Sequence, residues 1–251
     1  MNQNEKQRFN QLYERFLNLM KLQGFQSKTI GAYARGVRRI MFHFDCVPDK
    51  LTTNQLEKYF AELVDNYSWS TVRCDRSGMM FFWKHVLERD WQWFSIVRPP
   101  KVKNIPDVLS TGEVERLIIN ARVLRYRVFI LTTYSMGLRL GETLSLQVGD
   151  IDSGYKRVHI RRGKGHKNRF VPLPDRTLHA LRLLWQEHRH PKWLFPSYSS
   201  SLGVLHQSDR RLTKIGAQQA MKAIVKSSNI KKKCLSTVCA TVTQPIFLNA
   251  A

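Results

Sequence analysis

The 251-residue chain is 43% hydrophobic and 11% aromatic, which excludes a disordered polyelectrolyte and leaves room for one or two packed domains. It carries 41 Lys+Arg against 19 Asp+Glu, a formal charge of +22, and a folded protein this basic points first to nucleic acid as its partner. No apolar run approaches membrane-spanning length, and no secretory segment is visible. Cys46, Cys74, Cys234 and Cys239 lack the paired spacing of a zinc site. The expectation is therefore a cytoplasmic, nucleoid-associated protein with reduced thiols, no metal and no membrane partner.

The first hundred residues predict a helical module. Leu12, Phe16, Leu19 and Met20 recur at helical spacing, and Gly24 marks a stop. Ser27 is the expected N-cap of a second helix that gathers Ile30, Tyr33, Val37, Ile40, Met41 and Phe44 on one side. Lys28, Arg35 and Arg39 fall on the opposite side with Arg38 beside them, and no acid in the segment breaks the stripe. A solvated face is the plain reading; phosphate contact is the functional one. Thr52 and Gln55 form a capping box for a third helix, and the fourth, through TVRCDRSGMMFFWKHVLERD, places Phe81, Phe82 and Trp83 in the core. Pro99, Pro100 and Pro106 then interrupt the chain in a basic stretch that reads as a linker.

Ser110 and Glu113, a second capping box, open a new module. VFILTTYSMG predicts a largely apolar helix ending at Gly137, and LGETLSLQVGDID a short one. In KRVHIRRGKGHKNRFVPLP, Val158 and Ile160 alternate with charged residues, the pattern breaks at Gly163 and Gly165, and it resumes through Phe170 and Val171. That is a β-hairpin with a basic tip; from Lys156 to Arg169 there are seven Lys and Arg and no acid. RTLHALRLLWQEH and GAQQAMKAIVKSS predict two further helices. Lys164, between two glycines, reads locally as one more backbone-gripping lysine. Arg139 with Glu142 reads locally as an ion pair, although a forked guanidinium also suits a phosphate under displacement.

Taken in order, these features resemble the tyrosine recombinase, or phage integrase, family, in particular its Xer-like and integron-type members. The resemblance rests on Ser27, Thr29 and Tyr33 at the start of the second helix, the Leu-Ser-x-x-Glu domain start, GLRLGE, the GKG tip and LFPS at 194–197. It implies a mainly α fold with a small β-hairpin or sheet: a helical, SAM-like core-binding domain over 1–97, a linker at 98–107 and an α+β catalytic domain over 108–233. It implies site-specific recombination, in which a tyrosine attacks a phosphodiester to give a 3′-phosphotyrosyl link and a free 5′-hydroxyl, without metal, cofactor or small-molecule substrate. The partners implied are double-stranded DNA and other recombinase protomers. By motif match Arg139 is the first catalytic arginine, Glu142 its supporting acid and Lys164 the general acid. Lys28, Arg35, Arg38, Arg39, Arg161, Arg162, Lys167 and Arg169 are the expected DNA contacts.

The family pattern next requires His-x-x-Arg-His and a tyrosine nucleophile, yet the last histidine is His206 and the last tyrosine is Tyr198. Residues 234–251 instead read CLSTVCATVTQPIFLNAA, without one charged side chain. If each codon is read one nucleotide early, the permitted doublets give VSIHSLRHSYATHLLE, the missing motif in its usual form, and the preceding KKK suits an adenine tract. The expectation is a frameshifted, C-terminally truncated recombinase with an irregular tail. The alternative is a non-catalytic DNA-binding protein that occupies recombination sites or interferes with an intact recombinase.

Overall fold

The computed structural model describes residues 1–89, 109–161, 168–197 and 210–231. The chain divides into two compact units, Met1–Lys103 and Asn104–Ala251. The expected linker, the hairpin tip and the tail from 232 onward lie outside the described residues.

The first unit packs four helices: α1 (Gln3–Leu22), α2 (Ser27–Phe44), α3 (Thr53–Asn66) and α4 (Trp69–His85). Asn2 and Glu5 cap α1 reciprocally, as Thr52 and Gln55 cap α3. The predicted cap of α2 is corrected: Gln26 holds that position and Ser27 is already helical, so no side chain caps this end. Ser68, unforeseen, caps α4 through its bond from the Thr71 amide. Phe16, Met20, Val37, Ile40, Leu56, Phe60 and Phe82 fill the core, with Phe81 and Trp83 buried beside them as the apolar spacing required. Helices α2 and α4 meet at two glycines. A Cβ on Gly36 would lie 2.8 Å from the Asp75 Cα, and one on Gly78 would lie 2.9 Å from the Tyr33 carbonyl oxygen. Only hydrogen fits at either crossing, so the two backbones approach closely.

The second unit contains α5 (Thr111–Asn120), α6 (Leu124–Ser135), α7 (Leu140–Thr143), α8 (Asp175–His188) and α9 (Lys214–Ser227). Ser110 and Glu113 cap α5 as predicted. Helix α6 is buried all round from Val128 to Ser135 and serves two cores, one shared with α5 and α9 and one with the sheet and α8. The sheet has three antiparallel strands in the order β1 (Ile151–Asp152), β2 (Arg157–Ile160), β3 (Arg169–Pro172). Only the β2–β3 hairpin was legible beforehand. Val158 and Ile160 point into the core and pair with Val171 and Arg169, while Arg157 and His159 point outward. Among the described residues no helix is long and apolar enough to cross a membrane.

Candidate active site

The chain turns sharply out of α6 at Gly137, whose φ of 59° is the left-handed region that glycine enters without strain. Leu138, fully buried, anchors the turn, and its amide donates to the Thr133 carbonyl. The Thr133 hydroxyl donates to the Phe129 carbonyl and lies 3.1 Å from the Thr143 hydroxyl, fastening α7 to α6. Arg139 thereby falls at the N-cap of α7 and Glu142 in its first turn.

Glu142 is the centre of the site. Its side chain is 7% exposed and accepts four hydrogen bonds. The Arg139 amide donates to Oε2 at 2.9 Å and the Arg139 guanidinium to Oε1 at 3.0 Å. From β3, Arg169 adds a bidentate pair, Nη1 to Oε1 at 2.9 Å and Nη2 to Oε2 at 2.7 Å. Burial by itself raises the carboxyl pKa, but the donors from Arg169 and Arg139 outweigh it and hold the group at about 2. Arg139 remains 54% exposed, and among the described residues its other guanidinium nitrogens have no acceptor. The geometry leaves one unit of positive charge on an oriented, accessible fork, the arrangement suited to an anion such as a phosphate.

The other expected contacts divide. Lys28, Arg35 and Arg38 are exposed on α2, Arg38 with its guanidinium 5.7 Å from the Tyr13 ring centroid. Arg39, the fourth member of the stripe, is paired: Asp75, reaching across from α4, binds its guanidinium, which also lies over the Tyr67 ring. Sequence alone could not reveal this, because the acid comes from another helix. Arg161 binds buried Asp150, whose other oxygen accepts from the Gln147 amide. Both strand ends flanking the tip are therefore tied to buried carboxylates, Arg161 to Asp150 and Arg169 to Glu142. Lys164, Arg162 and Lys167 lie outside the described residues. Asp150, and Arg211 with its bond to Ser145, were missed; the Gln147–Asp150 spacing was a readable capping signal for the first.

The phage integrase family model matches residues 107–237, more than half the chain, and the N-terminal SAM-like domain of phage integrases matches residues 12–93. The chain belongs to the phage integrase family. Within that family, the integrase/recombinase y4qK of Sinorhizobium fredii is 31% identical over 74% of this chain and 61% of its own length. A second Sinorhizobium fredii integrase/recombinase, y4eF, is 36% identical, and the match covers 48% of each protein. The chain thus spans about half to three fifths of these two relatives. The tyrosine recombinase XerD of Listeria monocytogenes is 28% identical over 89% of this chain and 80% of its own length. Among solved structures, a lambda integrase tetramer bound to a Holliday junction superposes with a TM-score of 0.68 at 14% identity, covering 88% of this chain and 64% of the other. The XerH recombinase bound to its difH substrate superposes with a TM-score of 0.61 at 16% identity, covering 84% and 65%. At these identities the shared property is the integrase fold: a SAM-like helical domain and a catalytic domain with a three-stranded sheet.

Proposed function

We propose that this chain binds double-stranded DNA as a site-specific recombinase whose phosphate-binding half is in place and whose nucleophile is not. The single observation that carries the reading is the Glu142 cluster: a buried carboxylate that hydrogen-bonds Arg139 while leaving its side chain exposed. In this reading Arg139 hydrogen-bonds a non-bridging oxygen of the scissile phosphate and offsets the charge that builds there during displacement. Lys164, matched through its GKG motif, donates a proton to the departing 5′-oxygen. The attacking group would be a tyrosine hydroxyl, and the 3′-phosphotyrosyl link that it forms conserves the bond energy needed for rejoining.

Lys28, Arg35 and Arg38 supply backbone contacts from the first unit. The DNA complexes of lambda integrase and XerH support duplex DNA as the partner, and the lambda tetramer supports other protomers on the same site. The out-of-frame match of residues 234–251 to a His-x-x-Arg-His segment supports a chain that binds without cleaving. The members of such a catalytic set act as a unit, and losing one is nearly as damaging as losing all. The alternative reading is a non-catalytic DNA-binding protein that occupies recombination sites or interferes with an intact recombinase.

A suicide DNA substrate that traps covalent protein–DNA adducts tests the reading. The 251-residue chain should bind it and form no adduct, whereas the chain with the frame restored by one nucleotide and extended to its natural stop should form one. An adduct from the 251-residue chain, or none from the restored one, contradicts the proposal.

A further inference from the structure

Arg169 was expected to contact DNA, yet both of its terminal guanidinium nitrogens are turned onto Glu142, at 2.9 and 2.7 Å. It is 37% exposed against 54% for Arg139 and sits on the inward-facing side of β3, opposite Ile160 in the register. The charge count gives this geometry a consequence. One carboxylate faces two guanidinium groups. Arg169 takes both carboxylate oxygens in the strong parallel geometry, and Arg139 gives one nitrogen to Oε1. If Arg169 were absent, Glu142 would be buried with Arg139 as its only cation. The Arg139 fork would then turn onto both oxygens, and its charge would be quenched where a phosphate needs it.

We infer that Arg169 is a positioning residue: by saturating Glu142 from the hairpin side, it keeps the Arg139 fork turned outward for a phosphate. This rests on the reading of Arg139 as the phosphate-binding arginine. It also gives β3 a second role, since this strand carries the residue that primes Arg139.

The test is binding of the full chain to a short duplex of arbitrary sequence, measured by fluorescence anisotropy for the parent, Arg139→Ala, Arg169→Ala, Glu142→Gln/Arg169→Ala and Arg139→Ala/Arg169→Ala. Circular dichroism checks that each variant is folded. Arg169→Ala should weaken binding about tenfold, the scale of one charge-assisted contact. Adding Glu142→Gln should restore most of that loss, because a neutral amide no longer captures Arg139. The Arg139/Arg169 double variant should bind no more weakly than Arg139→Ala alone. A residue that merely holds the fold would not be rescued by Glu142→Gln, and a direct phosphate ligand would add its loss to that of Arg139; either result overturns the inference, as does an Arg169→Ala variant that binds like the parent. If Arg169→Ala does not fold, Arg169→Gln, which keeps the length of the side chain, carries the same rescue comparison. Parent-like binding by Arg139→Ala would overturn the reading underneath, and is distinct from a failure confined to Arg169.

Discussion

Asp75 in the first unit and Glu142 in the second are both buried carboxylates bound by arginine, yet their surroundings shift their pKa values in opposite directions. Asp75 is 3% exposed and has one close guanidinium, from Arg39. Burial raises its pKa, and the attraction of Arg39 and the more distant Arg35 does not overcome that. Glu142 is 7% exposed and has two guanidinium groups and a backbone amide, which hold it at about 2. The difference is stoichiometry. A single arginine offered to a buried acid is consumed by it, whereas a second arginine frees the first. Arg39, in the basic stripe of α2, is thus engaged by Asp75, while Arg139 keeps an exposed side chain beside Glu142.

The largest effects belong to the close helix crossing that delivers Asp75 to Arg39. Gly36→Ala and Gly78→Ala each place a Cβ within 3 Å of backbone atoms, so each should destabilise the first unit by about 3 kcal/mol, read by urea unfolding. A neutral outcome would mean that α2 and α4 separate easily and that the Arg39–Asp75 pair is not enforced by packing. A smaller effect distinguishes the two carboxylates directly. Glu142→Gln should cost about 2 kcal/mol, because it leaves two facing guanidinium groups with half their acceptor strength. Asp75→Asn should change stability by less than about 1 kcal/mol, since burial already disfavours the ionised carboxylate relative to water. Equal costs would erase the distinction.

The two carboxylates should contribute to the pH dependence of stability with opposite signs. The Glu142 pKa is depressed from 4.5 in the folded state, so its contribution is present above about 4.5 and is lost as pH falls towards about 2. The Asp75 pKa is raised above 3.8, so its contribution is present below that value and is lost as pH rises through the folded pKa. Urea unfolding between about pH 5 and 2 should show an acid loss that Glu142→Gln flattens and Asp75→Asn does not. An acid limb insensitive to Glu142→Gln would contradict the assignment.

Much of this architecture was legible in the sequence, because helix periodicity and capping are local. The Thr52–Gln55 and Ser110–Glu113 boxes, the Gly137 stop and the inward Val158 and Ile160 were all readable within a few residues. Arg139 with Glu142 was readable for the same reason, being three residues apart on one helical turn. What escaped depends on partners distant in the chain. Asp75 is 36 residues from Arg39, and Glu142 is 27 from Arg169. No periodicity within α2 or β3 announces either acid. Strand β1, two residues long, carries too little pattern to be seen before its partner is known.

Arg139 is expected to be available to a phosphate while Arg39, held by Asp75, is not. The direct measurement is the salt dependence of duplex binding for Arg139→Ala and Arg39→Ala beside the parent. Each lost phosphate contact lowers the slope of log affinity against log salt by about 0.9. Arg139→Ala should lower it by about that amount, and Arg39→Ala should leave it unchanged. A slope reduced by Arg39→Ala and untouched by Arg139→Ala would contradict the account.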